Sequence, residues 1–409
     1  MARVLGIIAE YNPFHNGHLY HLKSSQEYSK ADYTVAVMSG NFTQRGDTSI
    51  VDKWTKAEMA ILNGVDLVIE LPVIYSISSA ENYCYGAVKI LDSLKIVDTL
   101  SFGSESDISI LNEFADVLVN EPKEYKSILN HELGKGLSYP KARENALLMY
   151  LNNIRRYANV LSGSNNILGI EYLKAMKRLK THISAISVHR ENVQYNDTQI
   201  VDGIASATAI RQMVSNRRFL DLRSCVPASS YELLADLIQN GSYVSGLTKF
   251  EKEILYNFRK MSLEEIADLP DVTEGLEHSI KDAANSCNSI LQFINLVKSK
   301  RYTATRIQRI ALYALLGITK KDMQLSNKVD PYIRVLGFNN KGKDLISAIY
   351  SANPKLNIIT SVRKFMEECK NPKQKYLLEK DIFATNVYTL GYEYDSVANL
   401  DYTRKIVSM

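Results

Sequence analysis

The chain has 409 residues, 45% of them hydrophobic and 23% charged, a balance that excludes disorder as its main state and makes two domains the first expectation. Its 49 basic and 45 acidic residues leave a net charge of +4, too small an excess to argue for a polyanionic partner on its own. Cys84, Cys225, Cys287 and Cys369 are far apart and form no CxxC pair, which speaks against a zinc site or a disulfide framework and fits a reduced, cytoplasmic compartment.

The opening apolar run, residues 4–8, is too short for a signal peptide, and no later run approaches the roughly 20 apolar residues of a membrane span. It reads as a buried strand. Helical character follows over 19–28, a strand over 33–38, a helix over 53–62, a strand over 66–71, a helix over 80–94 and a strand over 99–102. Strand and helix in alternation imply crossover units and a mostly parallel sheet covered on both faces. The pattern loosens towards residue 215, with helices over 141–152 and 166–177 and a strand over 182–188. Helices then dominate, at 231–239, 279–286, 289–299 and 305–316, before two late strand-like runs at 332–338 and 357–362. The breakers in NGSYVSG place a boundary near residue 240, giving domains of 1–240 and 241–409.

Between the first strand and the first helix lies GIIAEYNPFHNGHLYHL, starting at Gly6. In an open parallel sheet, ligands bind where strands end, and the unpaired N–H groups of a helix N-terminus attract phosphate. Gly17 lets a ligand approach the backbone closely, and His15 and His18 are placed to donate hydrogen bonds as charge builds on an attacked α-phosphate. A second helix start, Ser206-Ala-Thr-Ala-Ile-Arg211, offers Ser206 as N-cap and Arg211 to face the outer phosphates. Taken singly, these are a polar helix start and a solvated arginine. Taken together, after a strand, they point to a site for ATP with His15, His18 and Arg211 as catalytic groups. The 38–54 segment adds Ser39, Gly40 and Asn41 at the ligand end of the second strand, with Gln44, Arg45 and Lys53 as candidate pocket residues.

The paired motifs resemble the nucleotidyltransferase superfamily, which carries an early T/HxGH and a late SxTxxR-like string. The longer strings AEYNPFHNGHLYH, VMSGNFTQRGDTSIVDKW, DLVIELP, FGSES, SNNILGIEYLKA, ASATAIR, VTEGLEH and KSKRYTATRIQR occur in this order between residues 9 and 309. They look like the bacterial tRNA(Met) cytidine acetate ligase family. The resemblance implies an α/β fold: a Rossmann-like HxGH nucleotidyltransferase domain with a mostly parallel sheet, followed by a mainly helical C-terminal domain. It implies that acetate attacks the α-phosphate of ATP to give acetyl-adenylate and pyrophosphate. The exocyclic amine of the wobble cytidine of elongator tRNA(Met) then takes the acetyl group, giving N4-acetylcytidine and AMP. It also assigns ATP contacts to Ile8, Ala9, Glu10, Tyr11, Asn12, Pro13, Phe14, His15, Asn16, Gly17, His18, Leu19, Tyr20 and His21, and further on to Gly103, Asn165 and Arg190. By itself Gly103 is equally a turn glycine, Asn165 a helix N-cap and Arg190 a surface charge. Triphosphate chemistry leads one to expect Mg²⁺, although no carboxylate cage stands out; Glu10 and Asp66 are the acidic neighbours, and no metal ligand is assigned. No protein partner and no membrane association are implied.

Between residues 296 and 321 stand Lys298, Lys300, Arg301, Arg306, Arg309, Lys320 and Lys321, with no acid among them and with Tyr302 and Tyr313 interleaved. Such a stripe suits phosphates and unpaired bases, so tRNA contact is expected at Lys298, Lys300, Arg301, Arg306 and Arg309. A solvated basic helix face is the bland alternative. A class I aminoacyl-tRNA synthetase would show a KMSKS-like loop, and an acetyl-CoA enzyme a Q/RxxGxG/A string; neither is present. An adenylyltransferase that makes a dinucleotide cofactor would leave the basic helical part without a role. A non-catalytic RNA-binding protein would leave His15, His18, Ser206 and Arg211 unexplained.

Overall fold

Short runs rich in Val, Ile and Leu form the central strands of a computed structural model that describes residues 2–409 except 158, 190–204, 217, 274 and 395–396. The first five are β1 Val4–Ala9, β2 Tyr33–Ser39, β3 Leu67–Leu71, β4 Thr99–Ser104 and β5 Ser184–His189. They stand in the order β5-β4-β1-β2-β3, all parallel. The chain runs outward from β1 through β2 to β3, then returns to add β4 and β5 on the other side. The order therefore reverses beside β1, and that reversal opens a crevice at the carboxyl ends of β1 and β4. Helical crossovers cover both faces, which explains why Val35, Val37, Leu67, Val68 and Ile69 are all buried rather than alternating.

The sheet does not stop there. β6 Tyr332–Phe338 pairs antiparallel with β3, and β7 Asn357–Ile359 and β8 Val407–Ser408 run parallel to β6. The expected α/β architecture with its mostly parallel sheet is present, and strands from beyond residue 240 complete that sheet. The run expected as a strand over 357–362 ends at Ile359. Ser361 instead accepts a hydrogen bond from the Lys364 N–H and starts the helix Val362–Glu368. The first helix, Asn16–Ser29, begins three residues earlier than its apolar pattern suggests, because a histidine caps it.

Charged groups tie the late segments to the early ones. Lys53 Nζ lies 2.9 Å from Glu70 and 2.8 Å from Asp401, and Arg334 lies 3.2 Å from the same Asp401 oxygen. All four side chains are buried. Lys53, expected at the pocket, is thus part of the anchor that holds the helix Leu400–Thr403 on the sheet. Asp66 is also structural. It precedes β3, at the end of the sheet away from the crevice, and there accepts hydrogen bonds from the Thr34 N–H at 2.8 Å and the Asn339 amide at 2.9 Å. The mainly helical part includes Glu251–Lys260, Leu276–Ser286, Ile290–Val297 and Ala304–Leu316, with Phe258 and Phe293 stacked at 4.9 Å in its core.

Candidate nucleotide site

A cavity of about 380 Å³ opens at the carboxyl ends of β1 and β4. Two helices point their first turns into it. The helix Asn16–Ser29 is capped by His15, whose Nδ1 accepts the Gly17 N–H at 3.1 Å, while His18 Nδ1 accepts the His15 N–H at 3.3 Å. The two rings stack at 3.7 Å. A neutral imidazole has one acceptor nitrogen and one donor. Because each Nδ1 accepts, each proton sits on Nε2. Both side chains therefore act as Nε2–H donors at a helix N-terminus that already favours anions. The HxGH spacing is thus a reciprocal cap that also sets two tautomers.

The second helix, Ala207–Ser215, begins as expected: Ser206 accepts the Ala209 N–H at 3.0 Å. Ala205, Ser206 and Ala207 line the same cavity as the histidines. Arg211 folds back instead of lining the cavity. Its guanidinium donates to the Asn12 carbonyl at 3.1 Å and to Thr208 Oγ1 at 3.2 Å, joining the two motifs directly. Asn12 in turn donates to the Thr48 carbonyl at 3.0 Å and accepts the Ile50 N–H at 2.8 Å.

Of the remaining expected contacts, Ile8, Ala9, Glu10, Tyr11, Gly17, His21, Gly103 and Asn165 line the cavity. Pro13, Phe14, Asn16, Leu19 and Tyr20 do not. Phe14 is fully buried in the core, Tyr20 is 53% exposed, and the Asn16 amide donates to the Ser224 carbonyl at 2.9 Å. The helical period turns Leu19 and Tyr20 away even though they are close in sequence, and Pro13 and Phe14 lie in the turn before the helix. Asn165 lies inside the helix Ser164–Leu179 rather than at its N-cap and donates to Glu105 Oε1 at 2.6 Å. Arg190 lies outside the described residues.

Sequence reasoning missed several lining or supporting groups. Phe102, Tyr83, Leu168 and Tyr172 form apolar walls, and Thr305 reaches the cavity from the first turn of Ala304–Leu316. Burial pushes the phenols of Tyr11, Tyr83 and Tyr172 well up, so all three stay neutral. Lys56 is fully buried and donates to the carbonyls of Glu10, Ser39 and Gly40 at 3.0, 2.7 and 2.7 Å and to Ser49 Oγ at 2.8 Å. It staples the end of β1 to the end of β2. Burial draws its ammonium down to about 7, against the upward pull of Glu10, Glu70 and Asp52. In sequence it is one lysine of an amphipathic helix, with no mark to distinguish it.

Gln44 and Arg45 line the cavity as expected. Gln44 donates its backbone N–H to Glu10 Oε1 at 2.8 Å and its side-chain amide to the Ser78 carbonyl at 3.3 Å. The next residue, Gly46, has φ +78°, and a Cβ there would lie 2.5 Å from the Arg309 backbone nitrogen. The pocket loop is thus packed backbone to backbone against the helix that carries the basic stripe. Within that stripe, Arg306 donates to the Asp271 carbonyl at 2.9 and 2.5 Å and to Thr273 at 2.9 Å, and Arg309 pairs with the Asp271 carboxylate at 2.9 Å. Tyr313 is buried. Lys298, Lys300 and Arg301 are the exposed members of the expected tRNA-contact set.

A strand-end cavity lined by the start of a histidine-capped helix and of a second capped helix has the parts of a nucleotidyl-transfer site. The chain belongs to the HIGH nucleotidyl transferase family, whose model matches residues 2–402. Among curated proteins it is 44% identical over 410 residues to the tRNA(Met) cytidine acetate ligase of Thermoanaerobacter sp. (strain X514), covering 99% of this chain and 100% of the relative. It is 45% identical over 408 residues to the protein of the same name from Caldanaerobacter subterraneus subsp. tengcongensis, covering 99% of each. Among solved structures it is similar to Thermotoga maritima TmcAL in an apo form, with a TM-score of 0.95, and to the same protein bound with alpha-thio ATP, with a TM-score of 0.92. Both are 36% identical to this chain and cover 100% of it and 99% of the solved chain.

Proposed function

We propose that this protein is an ATP-dependent acetate ligase that forms acetyl-adenylate and transfers the acetyl group to the exocyclic amine of the wobble cytidine of elongator tRNA(Met), giving N4-acetylcytidine. The observation that carries this reading is the pair of Nε2–H donors of His15 and His18 at a helix N-terminus, in one cavity with the start of the Ser206-capped helix. Donors fixed before the reaction stabilise charge on the α-phosphorus without having to reorganise. Cleavage there releases pyrophosphate and leaves an acyl phosphate anhydride, which is a competent acyl donor where free acetate is not. Relatives named for the acetate-ligase reaction, and a solved neighbour holding alpha-thio ATP, support this choice over a dinucleotide-forming adenylyltransferase.

ATP occupies the cavity with its triphosphate between the two helix starts and its nucleoside towards Gly103 and Asn165. Arg211 positions the Asn12 turn and so joins the second helix start to the first. Mg²⁺ arrives with the triphosphate and is held by phosphate oxygens and water. This fits a cavity in which Glu10 is the one carboxylate among the described lining residues, and no cluster of three or more potential metal ligands occurs among them. Residues 1–240 carry the nucleotide chemistry, and the helical part of 241–409 meets the tRNA through Lys298, Lys300 and Arg301. No described helix is long and apolar enough to cross a membrane, and a cytoplasmic location follows from the tRNA substrate. The test is nucleoside analysis of tRNA(Met) incubated with the protein, ATP and acetate. N4-acetylcytidine, AMP and pyrophosphate are expected; ADP among the products, or ATP–pyrophosphate exchange indifferent to acetate, would refute the reading.

A further inference from the structure

The second half-reaction raises a problem that the first does not. The exocyclic amine of cytosine shares its lone pair with the ring, so it is a weak nucleophile. As it bonds to the acetyl carbon, its nitrogen becomes strongly acidic and must lose a proton. Such a step calls for a base within hydrogen-bond reach.

The cavity narrows the choice. His15 and His18 hold their protons on Nε2, because each Nδ1 already accepts a backbone N–H. The nitrogen each presents is therefore a donor with no lone pair to offer. His21 lies one turn further along, its Nε2 3.5 Å from Ser25 Oγ and 3.5 Å from Ser101 Oγ of β4, on the side where the nucleoside is placed. The Lys56 ammonium faces three carbonyls and a hydroxyl beneath the strand ends. Tyr11, Tyr83 and Tyr172 are phenols held neutral by burial.

Glu10 remains. It directly follows β1, lines the cavity, and has one oxygen fixed by the Gln44 N–H at 2.8 Å. Gln44 belongs to the loop whose Gly46 packs on the backbone of Ala304–Leu316, and Thr305 of that helix lines the same cavity. Glu10 is therefore tied to the side of the pocket that abuts the helical part, from which an RNA base would enter.

We propose that Glu10 is the proton acceptor of acetyl transfer, a catalytic base for the cytidine amine; this rests on the acetate-ligase reading above. The amine nitrogen attacks the acetyl carbonyl carbon and forms the N–C bond. Its proton passes to Glu10 Oε2. The tetrahedral adduct collapses, the bond from carbon to the phosphate oxygen breaks, and AMP leaves as an anion. Glu10 then gives the proton to solvent.

The experiment separates the two half-reactions. Glu10→Gln keeps an oxygen for the Gln44 N–H and removes the base. Acetate-dependent ATP–pyrophosphate exchange and single-turnover acetyl transfer to tRNA(Met) are measured for wild type and variant. Transfer should fall by about 100-fold or more while exchange falls by less than about 10-fold. Transfer reduced no more than exchange overturns the proposal. So does recovery of both at raised Mg²⁺, which would make Glu10 a metal ligand. A wild-type protein with no acetate-dependent exchange refutes the ligase reading itself, and the inference falls with it, a result distinct from either failure of the variant.

Discussion

Each imidazole of the HxGH string has two jobs. One nitrogen completes the helix cap, and the other presents a donor to the cavity. A substitution that keeps only the first job separates them. His15→Asn retains an oxygen to accept the Gly17 N–H, so thermal stability should stay near wild type while acetate-dependent exchange falls by about 100-fold. An exchange rate close to wild type would show that the cap alone matters. His18→Ala should abolish adenylate formation and leave tRNA affinity intact; loss of both would mark His18 as structural. Lys56 makes the complementary case. Lys56→Met leaves three carbonyls and a hydroxyl facing an apolar chain, and should cost about 3 kcal/mol or more in urea unfolding. A loss within about 0.5 kcal/mol would mean that relaxation or water repairs the gap.

The Ala304–Leu316 helix sits between the pocket loop and the basic segment. Gly46 fits against it only because it has no side chain and takes a positive φ. Gly46→Ala should part the loop from the helix and speed amide exchange over 304–316 and 43–48; unchanged exchange would show that the backbone simply shifts. Arg306 and Arg309 bind the 271–273 turn, so their loss should loosen that turn. Replacing Lys298 and Lys300 by Ala should weaken tRNA binding and lower the salt slope by about 2, with acetyl-adenylate formation preserved. An unaltered slope would move the RNA surface elsewhere.

The molecule is closed by buried charge. Asp401 neutralises both Lys53 and Arg334, and these hold its carboxyl below the usual range against the cost of burial. Asp401→Ala would leave two buried cations with Glu70 alone, a loss of about 3–5 kcal/mol. Beside them, Asp381 accepts the Val73 N–H at 2.7 Å and the Tyr332 hydroxyl at 2.5 Å. Burial first, then the nearby Glu70 charge, raises its carboxyl from 3.8 to about 7. The folded state thus binds more protons than the unfolded chain between these values. Its contribution to stability is present in full below pH ~4 and disappears as pH rises to ~7. Asp381→Asn should flatten that part of the stability–pH curve; a slope equal to wild type would assign the titration to another group.

Much of this was legible in the residues. The strand runs at 33–38 and 332–338 and the helix at 53–62 could be read because burial on both faces demands continuous apolar stretches and because propensity and capping agree locally. The HxGH and Ser206 helix starts could be read because capping is a short-range chemistry of neighbouring residues. What the sequence could not decide was which side chains turn into the cavity. Phe14 and Tyr20 sit inside the motif yet point elsewhere, while Tyr83, Tyr172 and Thr305 line the site from distant segments. Nor does a run of basic residues reveal that two of its arginines are engaged by Asp271 and Thr273, or that Lys53 and Lys56 are buried on opposite errands. Local periodicity and capping are written in adjacent residues. Pairing between groups distant in the chain, such as Lys53 and Asp401, is set by sheet order and close packing, and only the folded chain brings them within hydrogen-bond distance.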